Sequence, residues 1–283
     1  MASFDYRALC ETLEALYCSF GILPRVIGRT VLGRAVFALD LGSRQNRALI
    51  LCGVNGADGM LSKLVLRFYW ELLQSAQAGT LFCGVDFRRA RRDCGVTVVP
   101  CLNPDGLDLC ANGLSSAPAL RRFLRPLYTE DQPWCANARG VDLRRQFGAG
   151  FSLAKEESEL QEINAPGSAG YPGEAPQSEA EAQAVCALCR KERFRHALIL
   201  GTGDPLLRIH TPPNGSRSAA LSGKLLADAP ALPLSYADTP QGAFADWFAQ
   251  TVGRPAFTAQ TGKGNAPLPE KAWFELLLLS VLL

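Results

Sequence analysis

The chain has 283 residues, 48% of them hydrophobic, and a formal net charge of +2. This length and composition support one large buried core, so we expect a single domain over residues 1–283, with residues 1–21 forming an N-terminal helix packed on it. The near balance of charge argues against nucleic acid or an anionic membrane as a partner, which leaves small molecules and peptides.

The ends of the chain and its cysteines indicate a cellular location. The first residues lack a basic segment followed by an apolar core, and the apolar run at 276–283 is too short to span a bilayer. Ten cysteines without a secretory signal are typical of reduced thiols rather than of a disulfide framework. Cys186 and Cys189 are interpreted as small core residues, with a redox pair as the alternative. We therefore expect a cytoplasmic protein.

Hydrophobic periodicity predicts the elements of the first half in chain order. They are a helix over 3–20 with Ser3 as its cap and Gly21 as its stop, a hairpin of strands Arg25–Thr30 and Arg34–Asp40, a strand from Ala48, a helix from Leu61 to near Gly79, an arginine-rich surface at 84–93, and a strand Val96–Cys101. The strand from Ala48 stops at Gly53 and turns into a helix near Asp58. A buried strand followed by such a turn places a crevice at its carboxyl end.

The second half alternates loops, helices and strands. Its predicted elements are a turn at 103–106, irregular segments at 115–135 and 148–177, a helix begun by Ser178 with Glu181 completing a capping box, strands His196–Leu200, Leu206–His210 and Pro255–Gln260, and helices over 217–227, 241–252 and 270–283. This alternation favours an α/β fold in which helices cover both faces of a mixed sheet.

Five local patterns resemble landmarks of the zinc carboxypeptidase family. They are Asn-Pro-Asp-Gly at 103–106, Asn-Ala-Arg-Gly-Val-Asp-Leu-Arg-Arg-Gln-Phe at 137–147, the Tyr-Pro-Gly-Glu segment at 171–181, Asp-Trp-Phe at 246–248, and the segment from Phe-Thr-Ala-Gln to Pro-Leu-Pro at 257–269. The closest resemblance is to the bacterial branch that cleaves γ-D-glutamyl-diaminopimelate bonds in cell-wall peptides. It implies a single α/β domain with a mixed, mostly eight-stranded twisted sheet and an active site at the carboxyl ends of the central strands.

The resemblance also implies where zinc chemistry would lie. In the family, a His-Gly-x-Glu turn and a later His hold zinc, and a Glu in Phe-Thr-x-Glu is the general base; the matching positions here are Asn55, Asp58, Gly201 and Gln260. Gly201 has no side chain, Asn55 offers a neutral amide, and an amide such as Gln260 cannot take up and pass on a proton. We therefore expect no metal or other cofactor, and an inactive peptidase homologue, a pseudoenzyme.

The chain has two histidines, and each must be considered as a replacement metal ligand. His196 starts a strand roughly 16 Å from Gly201 at the usual strand rise, which favours a structural role. His210, which we expect beyond a strand in a Pro-rich loop, is the one candidate for a migrated ligand. An active metallocarboxypeptidase or cell-wall peptidase, with ligands from Asp58, His210 or a partner chain, therefore stays open as an alternative. A third possibility is a purely structural or interaction protein with a collapsed crevice.

The matched substrate side is less changed. Where the family has an Asn-Arg pair that grips the substrate carboxylate, this chain has Arg144 and Arg145. The resemblance implies that Arg145 binds the carboxylate of a peptide or amino acid, with Arg139 in the same patch and Tyr236 as a mobile cap; the alternative is that the arginines lie on a solvated loop. Asp142 is expected to support this loop.

Arg144 has a second possible role. A pocket without the two positive charges of zinc can accept another cation, and Arg144 is the residue that we expect to replace the metal charge near Asp58.

Overall fold

The computed structural model describes residues 4–215, 217–237, 239, 241–260 and 269–283. Within these residues the strands are β1 Arg25–Arg29, β2 Ala35–Gly42, β3 Arg47–Leu51, β4 Gly95–Val99, β5 Phe194–Gly201, β6 Leu206–His210, β7 Leu234–Tyr236 and β8 Ala256–Gln260. They form one eight-stranded sheet in the order β1-β2-β4-β3-β5-β8-β6-β7. The predicted mixed, eight-stranded sheet is confirmed.

The four central strands β4, β3, β5 and β8 run parallel. Every residue of β3 and β4 is buried, as expected for strands covered on both faces. Because parallel strands end at the same edge of a sheet, the segments after β3, β5 and β8 lie together. Gly201 at the end of β5 is directly opposite Gln260 at the end of β8.

Helices cover both faces of the sheet. They are α1 Tyr6–Phe20, α2 Gly59–Ala78, α3 Phe87–Ala90, α4 Pro104–Asn112, α5 Arg121–Leu124, α6 Phe151–Leu160, α7 Ala180–Lys191, α8 Arg217–Asp228, α9 Phe244–Trp247 and α10 Glu270–Leu282. Helices α1, α2, α8 and α10 contribute to one hydrophobic core, and α7 and α9 contribute to the core on the opposite face. No helix in the described ranges is long and apolar enough to cross a bilayer.

The N-terminal helix packs through Leu9, Leu13 and Leu16, which are all buried. Its cap is Asp5, whose carboxylate accepts a hydrogen bond from the Ala8 backbone N–H at 2.8 Å. Ser3, the predicted cap, lies outside the described residues. Gly21 ends the helix in the left-handed conformation, as expected.

A predicted turn and a predicted helix cap have different roles in the structure. Asn-Pro-Asp-Gly at 103–106 starts α4 rather than forming a turn. Asn103 caps the helix, because its side-chain oxygen accepts a hydrogen bond from the Gly106 N–H. Pro104 fits the first helical turn, where a backbone N–H would have no partner within the helix, so its lack of an N–H costs nothing. The capping box predicted for Ser178 is also wrong. The cap of α7 is Glu179 without a side-chain bond to the helix, and Ser178 donates to the Glu179 carboxylate instead.

Other segments differ in extent. The segment 148–177 contains α6, and 241–252 is not one regular helix, since α9 covers only Phe244–Trp247 and a π-type turn follows over Phe248–Val252. Residues 261–268 of the segment at 257–269 lie outside the described residues.

Candidate functional site

A cavity of about 180 Å³ opens at the carboxyl ends of β3, β5 and β8. The four positions matched to the zinc ligands and the general base all line it. Its polar lining residues are Asn55, Asp58, Arg144, Thr202, Arg208, His210, Thr239, Gln241, Asp246, Thr258 and Gln260, with Gly201 between them. The predicted crevice is therefore present.

The turn after β3 fixes Asn55. Its side-chain oxygen accepts a hydrogen bond from the Ala57 N–H at 3.0 Å, which closes an Asx-type turn. Gly56 is enclosed in the same turn, because a Cβ there would lie 2.6 Å from the Trp134 carbonyl oxygen and 2.7 Å from Gly106. The amide oxygen of Asn55 is thus used by its own backbone turn.

Asp58 is 2% exposed and lies at the start of α2. Its Oδ1 accepts a hydrogen bond from the Thr202 hydroxyl at 2.8 Å. Burial raises the pKa of Asp58 to about 6, although the Thr202 hydrogen bond and the positive charge of Arg144 act in the opposite direction. The carboxylate therefore titrates close to neutral pH.

Gly201 leaves room at the third matched position. A Cβ built there meets no atom within 4 Å, and its backbone is not in the left-handed region. On the neighbouring strand, the Gln260 amide lies against Gly203, where a Cβ would be 2.8 Å from the amide carbon. Space for a ligating side chain at 201 exists, but this sequence does not fill it.

These residues do not fit a catalytic zinc ion. Such an ion is held by three side chains with imidazole, thiolate or carboxylate donors, and the matched positions offer an amide used in a turn, one carboxylate and no third side chain. Across the described part of the chain, no group of three or more His, Cys, Asp or Glu residues could hold a metal.

His210 is the last residue of β6 rather than part of a loop, and both of its ring nitrogens are engaged. Nδ1 lies 2.6 Å from the Asp246 carboxylate, and Nε2 lies 3.0 Å from the Thr258 hydroxyl. Because Nδ1 faces a carboxylate it carries the proton, so in the neutral imidazole Nε2 accepts the Thr258 O–H. Asp246 also accepts from the Gln241 N–H. This network makes His210 a poor migrated metal ligand.

His196 has a structural position in the middle of the fold. Its Nε2 lies 2.9 Å from the Ser280 hydroxyl, which joins β5 to α10. Burial, together with the charge of Arg195, lowers the pKa of His196 to about 3, so the ring is neutral at physiological pH.

The loop before α6 brings Arg144 to the cavity. Its Nε and Nη2 donate to the two oxygens of Asp142, at 2.9 and 2.6 Å. Asp142 is fully buried; burial alone would raise its pKa, but the hydrogen bonds and charge of Arg144, with the backbone N–H of Gly170, lower it below the usual value. Asp142 thus supports the loop and orients Arg144, and these two bonds use two of the five guanidinium N–H donors.

The other predicted substrate residues lie elsewhere. Arg145, expected to face the crevice, pairs with Glu157 at 2.7 Å and does not line the cavity. The reason is local: Leu143–Arg145 form a 3₁₀ turn, in which successive side chains point about 120° apart. Arg139 is mostly exposed, 3.6 Å from Glu179, and Tyr236 is half-exposed on the edge strand β7; neither lines the cavity.

Sequence reasoning missed Arg208. It lies in β6 between Leu206 and His210, and these three residues line the cavity while Leu207 and Ile209 are buried in the core. This alternation with a period of two was visible in the sequence and could have indicated that Arg208 and His210 share a face.

Comparison with known proteins supports the resemblance found in the sequence. A family model described as zinc carboxypeptidase matches residues 7–225. The chain is 26% identical over 275 residues to gamma-D-glutamyl-L-diamino acid endopeptidase 1 of Lysinibacillus sphaericus, covering 94% of this chain and 67% of that protein. It is 34% identical over 242 residues to murein peptide amidase A of Escherichia coli strain K12, covering 78% of this chain and 74% of that one.

The fold is also similar to solved structures. Bovine thrombin-activatable fibrinolysis inhibitor, in complex with tick carboxypeptidase inhibitor, superposes with a TM-score of 0.71 at 16% identity, covering 99% of this chain and 95% of that chain. This likeness shows the fold alone.

Proposed function

Because the chain belongs to the zinc carboxypeptidase family, we propose that it is a non-catalytic member that binds a peptide or amino-acid carboxylate in the cavity lined by the matched zinc-ligand and general-base positions. The observation that carries this proposal is the set of residues around one cavity. Asn55, Asp58 and Gly201 do not supply three metal donors, and Gln260 stands at the position of the general base.

Peptide hydrolysis in this family needs a general base and a metal ion, and the residues around this cavity do not supply the groups for either. A general base must accept a proton from water and pass it to the leaving nitrogen, which the amide of Gln260 cannot do. The raised pKa of Asp58 is a feature of many catalytic carboxylates, but here burial is its main cause, and the Thr202 hydroxyl occupies one of its oxygens. Because Asn55, Asp58 and Gly201 do not supply three metal donors, we also expect no metal ion here to polarise a scissile carbonyl.

Carboxylate binding is better supported. Within the described residues, the three guanidinium N–H donors of Arg144 that do not bond Asp142 have no acceptor, so they are available to an anion. The buried Asp142 holds the guanidinium in one orientation. A fork of this kind suits the two oxygens of a carboxylate. The positive charge of Arg144 also lowers the pKa of Asp58, as expected if this arginine partly replaces a metal charge.

The ligand that we propose is a short peptide of the bacterial cell wall. Two supports are the names of the relatives, a gamma-D-glutamyl-L-diamino acid endopeptidase and a murein peptide amidase, and the cavity volume of about 180 Å³. This volume is below the ~300–1,000 Å³ typical of sites for drug-sized ligands, so it suits one or two residues.

We place the protein in the cytoplasm, since all ten cysteines are unpaired.

A calorimetric titration tests the carboxylate claim. L-alanyl-L-alanine should bind the wild type, and its C-terminal amide should bind roughly 10- to 100-fold more weakly, because a charge-assisted bond is lost. Arg144→Gln should lose the preference for the free carboxylate. Arg145→Gln, next in the sequence and identical in chemistry, should keep it. Equal binding of the acid and the amide, or loss with Arg145→Gln alone, contradicts the proposal.

A further inference from the structure

Arg208 is a cation in the cavity wall without an assigned role. Its Nε atom is buried and has no hydrogen-bond partner in the described part of the chain, where no residue forms an ion pair with it either. A buried N–H without a partner is uncommon in a folded protein, and a water, an ion or a ligand that occupies the site is one explanation for it. Arg208 lines the same cavity as Arg144.

The acidic groups of the cavity are already engaged. Asp246 accepts hydrogen bonds from His210 and from the Gln241 N–H, and Asp58 accepts one from Thr202. Both carboxylates of the cavity lining are therefore bonded to other groups. Among the described residues, no carboxylate pairs with the guanidinium of Arg208.

The position of Arg208 is fixed by the sheet. Strand β6 is paired on both sides, with β8 and with β7, and Arg208 is opposite Thr258 on β8 and Ser235 on β7. A charged side chain that is held on a rigid strand and faces a small cavity is well suited to select a ligand group.

We propose that Arg208 binds an acidic side chain of the ligand whose terminal carboxylate is bound by Arg144. This inference rests on the proposed function and narrows it: the ligand is a peptide that ends in a dicarboxylic residue, with one carboxylate for each arginine. The two cations come from different elements, Arg144 from the loop before α6 and Arg208 from β6, so each can be altered separately.

Two nearly isosteric dipeptides test the assignment. L-alanyl-L-glutamate and L-alanyl-L-glutamine differ only by a carboxylate or an amide at the end of the side chain. In calorimetric titrations the wild type should bind the glutamate dipeptide roughly 10- to 100-fold more tightly, the usual effect of one charge-assisted hydrogen bond. Arg208→Gln should abolish this difference, and Arg208→Lys should keep part of it. Arg254→Gln, an exposed arginine before β8, is the matched control and should leave it unchanged.

The outcomes separate the two proposals. If the wild type binds both dipeptides equally and Arg208→Gln changes neither affinity, the role of Arg208 is refuted while carboxylate binding by Arg144 stands. If the wild type binds neither dipeptide, nor L-alanyl-L-alanine, the proposed function fails as well. Circular dichroism spectra that match the wild type show that each variant is folded.

Discussion

Asp58→Asn should make the protein more stable at neutral pH, and more so as pH rises. Burial raises the pKa of Asp58 from 3.8 in the unfolded chain to about 6 in the folded one. Between these values the native state binds more protons than the unfolded state, so the contribution of Asp58 to stability falls as pH rises. Each pKa unit corresponds to about 1.36 kcal/mol, so the loss is about 3 kcal/mol near pH 7. The amide of the variant does not ionise.

Urea unfolding of both proteins at several pH values between 4 and 7.5 measures this effect. The free energies of unfolding should differ least near pH 4, where Asp58 is largely protonated in the native state, and the variant should gain by about 3 kcal/mol towards pH 7. Asp93→Asn, which alters an exposed aspartate, is the control and should show no such trend. A stability difference that stays constant across the range would refute the claim that burial of Asp58 outweighs the opposing charge of Arg144 and the Thr202 hydrogen bond.

Three further substitutions test a buried carboxyl group, a close backbone contact and a helix cap. Glu181→Gln should raise the free energy of unfolding by about 3 kcal/mol at pH 7 and by little at pH 4, since burial raises the pKa of Glu181 to about 8; urea titrations that show no pH trend would contradict this. Gly56→Ala should lower stability by ~1–3 kcal/mol in the same assay, because its Cβ would overlap Trp134 and Gly106; an unchanged midpoint would contradict the close packing. Asn103→Ala should lower stability by about 1 kcal/mol through loss of the α4 cap, and Asn103→Asp should not restore it, because a buried carboxylate would face the Val54 and Cys135 carbonyl oxygens to which the Asn103 amide donates.

Most of the fold could be predicted from patterns that are local in the sequence. The apolar strand from Ala48 and the stripe from Leu61 became β3 and α2, because burial on a regular period determines both. Helix ends were harder. The Asn103 tetrapeptide suits a turn or a helix start equally well, and the Ser178 hydroxyl bonds Glu179 rather than a helix N–H because tertiary packing offers it that partner.

In the site, too, some features could be predicted from the sequence and others could not. The positions of Asn55, Asp58, Gly201 and Gln260 followed from the resemblance, and the structure places them around one cavity. Which of two adjacent arginines faces that cavity depends on the 3₁₀ turn at Leu143–Arg145, which leaves no periodic signal in three residues.

The tertiary contacts of Arg208 and His210 were beyond the reach of sequence reasoning for another reason. Their neighbours come from β8 and from the segment around Asp246, which are distant in the chain. The alternation in β6 indicates a face but not what packs against it.

Zinc content is the most direct test of the central claim, that this cavity works without a metal. The wild type and a variant with Asn55→His, Asp58→Glu and Gly201→His should be saturated with zinc, dialysed and measured by mass spectrometry and calorimetry. The open space at Gly201 admits the new side chain, so the variant should retain zinc, whereas the wild type should retain far less than one ion per chain. One zinc per wild-type chain, held with micromolar or tighter affinity and lost on Asp58→Asn, would contradict the account.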